Sequence, residues 1–314
     1  MAEYVPDLVR RAAARLQQKP APQRNESLPA AAAGFLGEAR SPDQAGVHFA
    51  VSGPATKPAP VAAEPAPLRR SVVVSPTSLA AHGIALPSNG VSRTVEEFRA
   101  LKRHVLANAL RPVGASDPAN RRVILVTSAR TGEGKTFTAT NLALALAFEK
   151  DTRVLLMDAD AYRQSLMSCL GITAQTGWLD AVAGGAGAPG ESVLETNVPG
   201  LCVLPTGKER AEIPELMSSR RMKQLFDDLA REDPARFVII DALPCLTSTE
   251  PSLLAALAGQ ALFVVAAHQT SREDIESSLR LLNASPSVSL VLNKAEPLLT
   301  EQFKGYGYAY ADQH

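Results

Sequence analysis

Short apolar segments alternate with helix-like segments along this chain from residue 122 onward, and this pattern limits the possible folds more than any other feature. Most of the short segments are rich in β-branched residues, as is typical of strands buried on both faces of a sheet. The alternation predicts an α/β fold with a doubly wound, mostly parallel sheet that helices cover on both sides. The segments are RVILVTS (122–128), RVLLMD (153–158), LCVLPTG (201–207), FVIID (237–241), ALFVVAA (261–267) and VSLVLN (288–293).

The helices expected around these strands have apolar residues at helical spacing. One is expected ahead of the first strand, over 91–110, and a single helix is expected over 214–232, with Pro214 at its start. The apolar face of the first helix comprises Val95, Phe98, Leu101, Val105 and Leu106. The other helices are expected over 135–150, 164–170, 249–259 and 271–283.

Composition divides the chain into three parts. In residues 1–70 the spacing of apolar residues predicts a short amphipathic helix over 2–17, followed by a linker rich in proline and alanine. We expect the linker to be disordered, because it buries too little apolar surface to offset the entropy of ordering it. The folded domain is expected over 71–298. Residues 299–314 form a polar tail, expected to be flexible, that carries Tyr306, Tyr308 and Tyr310.

Several classes of protein are disfavoured by charge and composition. The formal net charge is +0 and the pI is about 7.0, so bulk charge does not indicate nucleic acid as a partner. The three cysteines, Cys169, Cys202 and Cys245, are far apart, which is typical of a reducing compartment. The first residues lack the order of a signal peptide, and no apolar run reaches the roughly 18 residues of a membrane helix. We therefore expect a cytoplasmic protein.

The segment TSARTGEGKTFTATN joins the first strong strand to a helix and contains a phosphate-binding pattern. Residues 129–136, the phosphate loop, fit GxxxxGK[ST] except that Ala129 replaces the first glycine, which is tolerable if φ there is negative. Lys135 is expected to hold the β- and γ-phosphates, and the Thr136 hydroxyl to bind Mg²⁺. Backbone amides around the two glycines would cradle phosphate. The predicted nucleotide contacts are Thr131, Gly132, Glu133, Gly134, Lys135, Thr136 and Phe137.

Aspartates follow two other strands. Asp158 and Asp160 close RVLLMDAD, and Asp241 closes FVIID. Because parallel strands end at one edge of a sheet, these carboxylates are expected beside the phosphate loop, where they suit Mg²⁺ around bound phosphate. Asp158 and Asp241, with Thr136, are the predicted metal ligands, and for Asp160 a helix cap is the alternative role.

The segment VLNKAEP is similar to the NKxD element that reads guanine in GTPases, with Glu296 at the aspartate position. On this basis Asn293 is a candidate contact to the nucleotide base.

Together these motifs resemble the bacterial tyrosine kinases, which share the fold of the ParA/MinD-type P-loop ATPases and act in capsule and exopolysaccharide production. The matching elements are ARTGEGKT, LLMDAD, FVIID and the terminal GYGYAY. That family also carries an ExxRxxR helix for ring assembly, which Glu96, Arg99 and Lys102 match with lysine in the final position. The likeness covers roughly residues 70–314 and is strongest to the exosortase-associated tyrosine autokinases.

The resemblance implies transfer of the γ-phosphoryl group of ATP, with Mg²⁺, to Tyr306, Tyr308 and Tyr310. Lys135, Asp158, Asp160 and Asp241 are the implied catalytic residues, with Asp158 accepting or orienting the tyrosine proton. The implied partners are other copies of the chain in a ring and a membrane-embedded polysaccharide co-polymerase that sets chain length. The implied location is the cytoplasm, peripheral to the inner membrane through that partner.

Several residues depart from the family pattern, and they leave a second hypothesis open. In DALP, Ala242 and Leu243 replace two expected residues, and Tyr162 stands where many members have arginine. Arg130 occupies the position of the signature lysine of ParA/MinD ATPases, which disfavours that subgroup. The tyrosine tail favours an autokinase, whereas DALP favours an ATP-dependent assembly or scaffold protein without kinase activity.

Overall fold

The computed structural model describes residues 70–84, 86, 92–111, 119–184, 189–208 and 212–296. The helix and linker predicted for the first 69 residues lie outside these ranges. The tail with Tyr306, Tyr308 and Tyr310 lies outside them as well.

The described residues form one eight-stranded sheet with the strand order β1-β4-β5-β3-β6-β2-β7-β8. Every neighbouring pair is parallel except β4 and β5, which are antiparallel. The doubly wound, mostly parallel sheet is therefore confirmed. The strands are β1 (Ser71–Val72), β2 (Val123–Ser128), β3 (Arg153–Asp158), β4 (Leu194–Thr196), β5 (Leu201–Leu204), β6 (Arg236–Asp241), β7 (Gln260–Ala266) and β8 (Val288–Asn293).

Nine α-helices are present in the same ranges. Residues of α2 and α3 contribute to the apolar core on one face of the sheet, and residues of α7 and α8 to the core on the other. The helices are α1 (Pro76–Ala81), α2 (Arg93–Leu110), α3 (Lys135–Ala147), α4 (Ser165–Leu170), α5 (Trp178–Val182), α6 (Ile213–Met217), α7 (Arg220–Arg231), α8 (Glu250–Leu257) and α9 (Arg272–Leu281).

The central strands are buried because core residues cover both of their faces. All six residues of β2 and all six of β6 are buried. Alternate residues of one strand enter different cores: Ile124 and Val126 pack on the α3 side, and Val123 and Leu125 pack on the α7 side. The near-absence of polar residues in these segments thus follows from their two-sided burial.

The single helix predicted over 214–232 is wrong, because the chain forms two helices there. The first ends at Met217, and the second begins at Arg220 with Ser219 as its N-cap. The Ser219 hydroxyl accepts a hydrogen bond from the Met222 amide at 3.2 Å, which satisfies an otherwise unpaired donor of the first turn.

The helix predicted ahead of the sheet is confirmed as α2. Its Val95, Phe98 and Val105 side chains are buried, and Leu101 and Leu106 pack against the same core. The very short strands β1 and β4 and the short helix α5 were not predicted. None of the helices in the described ranges combines the length and apolar character needed to cross a membrane.

Candidate active site

A cleft of about 720 Å³ opens beside the phosphate loop, at the carboxyl ends of the central strands. One wall is the loop with the start of α3, and the other includes Tyr162, Leu243 and Glu250. Most of the residues predicted for nucleotide binding, metal binding or catalysis line this cleft. They are Thr131, Gly132, Gly134, Lys135, Thr136, Phe137 and Asp160.

The phosphate loop has the backbone conformation that its glycines allow. Gly132 and Gly134 have φ of +83° and +103°, in the left-handed region that favours glycine. A side chain at Gly134 is also excluded sterically, because a Cβ there would lie 1.9 Å from Asn293 Nδ2. Ala129 is fully buried and is not among the residues with positive φ, which explains why alanine is accepted at the usual glycine position.

Lys135 begins α3 directly after the loop and is largely buried. Burial lowers the pKa of its ammonium group, while the carboxylates of Asp241 and Asp160 act in the opposite direction. Thr136 follows, with its Oγ1 3.2 Å from Ser165 Oγ. Phe137 packs edge-on against Phe98 of α2, with ring centroids 5.7 Å apart. The start of α3 thus presents a cation and a hydroxyl to the cleft, which are the groups that phosphate and Mg²⁺ require.

Asp158 and Asp241 lie side by side at the ends of β3 and β6, where they are register partners. Both are almost completely buried, with exposed fractions of 0% and 1%. Asp158 Oδ1 accepts a hydrogen bond from the Asp160 amide at 3.1 Å. Asp158 Oδ2 and both carboxylate oxygens of Asp241 have no hydrogen-bond partner among the described residues.

Each of these carboxyls is harder to ionise than usual. Burial raises the pKa of Asp241 to about 7. Burial, and then the charge of Asp241, raises the pKa of Asp158 well above its usual range. Two neighbouring buried carboxyls with unsatisfied oxygens favour a bound cation.

The residues present fit Mg²⁺. The ion takes hard oxygen ligands, usually one or two carboxylates completed by water and substrate phosphate. Asp158 and Asp241 offer unsatisfied carboxylate oxygens, and the Thr136 hydroxyl lies on the neighbouring cleft wall. Within the described ranges no group of three or more histidine, cysteine and acidic side chains could hold a metal. Phosphate oxygens and water would complete the coordination of the ion, as Mg²⁺ usually requires.

Asp160 differs from the other two aspartates because it lines the cleft. Its Oδ1 accepts a hydrogen bond from the Arg163 amide at 3.1 Å, which closes the turn after β3. Because α4 begins at Ser165 with Gln164 as its N-cap, Asp160 is not the cap of that helix. Asp158 has no exposed surface. The proton-accepting role of Asp158 stays a prediction.

Two predicted nucleotide contacts face the protein instead of the cleft. The Glu133 side chain is only 4% exposed, and its carboxylate accepts hydrogen bonds from the Arg130 amide and the Thr270 hydroxyl. Asn293 Nδ2 donates to the Glu133 carbonyl at 2.9 Å, so this amide supports the phosphate loop from behind. The base contact of Asn293 stays a prediction.

The wall opposite the loop was not predicted as part of the site. The Tyr162 hydroxyl donates to Glu250 Oε1 at 3.2 Å, which joins the turn after β3 to the start of α8. Leu243 and Pro244, from the DALP departure, also line the cleft. Their segment is held to β2, because the Thr127 hydroxyl donates to the Leu243 carbonyl at 2.6 Å. Two of the positions that differ from the family pattern, Tyr162 and Leu243, line this wall, so these differences were the sequence feature that could have identified it.

The predicted assembly residues lie on α2, and each is already paired within the chain. Arg99 forms an ion pair with Glu96, and Lys102 forms one with Glu149. Arg99 and Lys102 also line a groove of about 270 Å³ that includes Phe148. Their role in assembly stays a prediction.

Comparison with known proteins places these features among nucleotide-binding proteins and kinases. The family described as "ParA: NUBPL iron-transfer P-loop NTPase" matches residues 119–293. Tyrosine-protein kinase ptk of Acinetobacter johnsonii is 32% identical over 166 residues, which are 52% of this chain and 22% of ptk. Tyrosine-protein kinase CpsD of Streptococcus agalactiae is 29% identical over 201 residues, which are 62% of this chain and 85% of CpsD.

This chain therefore matches most of CpsD but only about a fifth of the length of ptk. Among solved structures, the chimerical protein CapA2B2 aligns with a TM-score of 0.59 at 24% identity, over 72% of this chain and 94% of that chain. This last likeness concerns the fold.

Proposed function

Because this chain belongs to the ParA family of P-loop NTPases, we propose that it uses this cleft for ATP-dependent phosphorylation of its own tyrosines. The observation that carries the proposal is the pair Asp158 and Asp241. Their unsatisfied carboxylate oxygens lie at the strand edge that also carries the phosphate loop. Relatives named tyrosine-protein kinases, one of them matched over 85% of its length, support a kinase over other uses of ATP.

The proposed binding mode follows from the positions of the side chains. Backbone amides of the phosphate loop surround the β-phosphate, with the positive end of α3 behind them. The Lys135 ammonium contacts the β- and γ-phosphates. Thr136 and Asp241 would hold Mg²⁺, with Asp158 as a further ligand, directly or through water. When bound, the ion neutralises charge on the phosphates during transfer.

In the reaction, the tyrosine oxygen forms a bond to the γ-phosphorus, and the bond from that phosphorus to the β,γ-bridging oxygen breaks, releasing ADP. The phenol proton leaves to a carboxylate, and Asp160 is the one that lines the cleft. The proposed acceptors are Tyr306, Tyr308 and Tyr310. β8 ends at Asn293, at the edge of the sheet that carries the phosphate loop, six residues before the proposed tail begins in the sequence.

The wider setting rests on the resemblance of the sequence to the exopolysaccharide tyrosine kinases. We place the protein in a homo-oligomer assembled through the α2 surface of Glu96, Arg99 and Lys102. It regulates exopolysaccharide synthesis or export from the cytoplasmic side, together with a membrane-embedded co-polymerase. Phosphorylation of three tyrosines would add roughly −4.5 to −6 of charge at pH 7, enough to separate neighbouring tails.

A second function is favoured by the DALP segment. Leu243 lies in the cleft wall where related kinases carry a different residue, and the matching family includes NTPases that are not kinases. In that case the chain would bind ATP to control assembly, and the tail would serve as a binding segment.

Incubation of the purified protein with Mg-ATP, followed by blotting for phosphotyrosine, separates the two functions. An autokinase gives a signal that Lys135→Met abolishes and Asp160→Asn strongly reduces. ATP binding without any phosphotyrosine in the wild-type protein would exclude the kinase and leave the assembly NTPase.

A further inference from the structure

The phosphate loop is held from behind by three residues that form a hydrogen-bonded unit, the loop anchor: Glu133, Thr270 and Asn293. We infer that Thr270 and Asn293 are positioning residues for nucleotide binding. Neither of them lines the cleft, so the inferred effect on the nucleotide is exerted through the loop. This inference rests on the proposed function, because it requires that the loop binds phosphate.

Glu133 is the centre of the loop anchor. It lies within the loop, between the two glycines, and its carboxylate is turned into the protein. Oε2 accepts a hydrogen bond from the Arg130 amide at 2.8 Å, which closes the loop on itself. Oε1 accepts one from the Thr270 hydroxyl at 2.6 Å, which ties the loop to the end of β7. Hydrogen bonds to a buried carboxylate are among the stronger ones in proteins, so both should hold the loop firmly.

Thr270 makes two hydrogen bonds with one hydroxyl. It donates to Glu133 and at the same time accepts from the Ala266 amide at 2.9 Å. The turn that carries it is closed by further bonds, since the Gln269 and Thr270 amides both donate to the Ala266 carbonyl. Only a hydroxyl side chain can donate and accept here, so serine can replace threonine but valine cannot.

Asn293 supports the same loop from the neighbouring strand. Its Nδ2 donates to the Glu133 carbonyl at 2.9 Å, and the Asn293 carbonyl accepts from the Ala267 amide at 2.8 Å. Asn293 is therefore fixed to the end of β7, and it fixes the peptide that leads into Gly134. The amides that follow are those expected to surround phosphate. A loop that is already ordered loses less entropy when nucleotide binds.

A different link offers a matched control. Arg130 of the loop forms a two-bond ion pair with Asp274 of α9, at 2.8 and 2.9 Å. The Arg130 side chain is 62% exposed, and ion pairs in water contribute little to order. This control tests the alternative that every contact of the loop with the rest of the protein contributes equally to nucleotide binding. Under that alternative, loss of the Arg130–Asp274 ion pair would weaken binding as much as loss of the Thr270 hydroxyl.

The test measures the Kd of Mg-ADP by isothermal titration calorimetry for the full-length chain. Thr270→Val is expected to weaken binding about tenfold or more, because it removes the hydrogen bonds that the Thr270 hydroxyl makes with Glu133 Oε1 and the Ala266 amide. Thr270→Ser is expected to bind within about twofold of wild type, since it keeps both hydrogen bonds. Asp274→Asn is expected to stay within about threefold of wild type. Melting temperatures of all variants show whether each is folded.

Asn293→Ala keeps the test decisive if Thr270→Val does not fold, because Asn293 lies on an edge strand and is partly exposed. A Kd weakened about threefold or more in Asn293→Ala supports the inference. Wild-type affinity in a folded Thr270→Val or Asn293→Ala, or equal losses in Thr270→Ser and Thr270→Val, would overturn it. Absence of Mg-ADP binding by the wild-type protein would overturn the proposed function together with this inference.

Discussion

Asp158 and Asp241 are register partners on neighbouring parallel strands, and three of their four carboxylate oxygens have no hydrogen-bond partner among the described residues. A buried polar atom without a partner costs free energy, and a buried charge costs more. When no cation is bound, this pair therefore lowers the stability of the folded protein. The arrangement makes sense if the pair is retained for a cation that binds with the nucleotide.

Asp241→Asn should stabilise the protein at pH 8 when Mg²⁺ and nucleotide are absent. Burial raises the pKa of Asp241 to about 7, whereas the pKa of an unfolded aspartate is near 4. The folded chain thus binds more protons between these values, so wild-type stability falls as the pH rises from about 4 to about 7. Asparagine removes this loss, and thermal melts in EDTA should show a higher Tm for the variant at pH 8 and a smaller difference at pH 5.

Asp233→Asn is the control for that experiment. Asp233 pairs with Arg153 at 3.0 Å instead of facing another buried carboxyl. This variant should gain no stability at pH 8. An Asp241→Asn variant that melts at or below the wild-type temperature at pH 8 would contradict the claim that the buried Asp241 carboxylate destabilises the protein when no cation is bound.

Lys135→Met should remove nucleotide binding without unfolding the protein. Methionine keeps most of the length of the buried side chain, and burial already lowers the pKa of the Lys135 ammonium, so loss of the charge costs the empty site little. The Kd for Mg-ADP should rise by about 100-fold, the scale of a hydrogen-bonded charge pair. Calorimetry measures this, and an unchanged Tm shows that the fold is kept. Retention of wild-type affinity would remove Lys135 from the site.

Tyr162→Phe should make exchange of nucleotide faster without changing affinity much. The hydroxyl of Tyr162 joins the turn after β3 to the start of α8 within one wall of the cleft, and its loss should loosen that wall. Association and dissociation rates of a fluorescent ADP should both rise in stopped-flow measurements, while the Kd stays within about twofold. An increase in the dissociation rate alone would indicate instead that Tyr162 holds the bound nucleotide.

Substitution of both Arg99 and Lys102 by alanine should lower the molar mass of the protein in light scattering, if α2 is the assembly surface. Glu149→Gln is the matched control, because it releases Lys102 from its ion pair but leaves the lysine in place. This control should assemble at least as well as wild type. Equal masses for the wild-type protein and the double-alanine variant would remove these residues from the interface.

The fold and the chemical part of the site could be predicted because their signals are local. Apolar strands, the phosphate loop and strand-end aspartates are each readable within about ten residues of sequence. The break between Met217 and Arg220 was missed because one serine cap ended an otherwise continuous helical pattern. The hydrogen bond of such a cap can start a new helix even where the spacing of apolar residues continues without a break.

The remaining parts depend on contacts between distant residues. Thr270 and Glu133 are 137 positions apart, and Tyr162 and Glu250 are 88 positions apart. No local pattern identifies such partners. Asn293 was predicted as a base contact from a four-residue motif, which carries no information about which way a side chain turns, and that contact stays a prediction. In the fold its amide nitrogen bonds to the Glu133 carbonyl.

The most direct test of self-phosphorylation is mass spectrometry of the intact protein and its peptides after incubation with Mg-ATP. The prediction is that the wild-type protein gains up to three phosphoryl groups, located on Tyr306, Tyr308 and Tyr310. Lys135→Met should gain none, and a variant with all three tyrosines changed to phenylalanine should lose most of the added mass. An unphosphorylated wild-type tail, in a preparation shown to bind Mg-ATP, would contradict the proposed function.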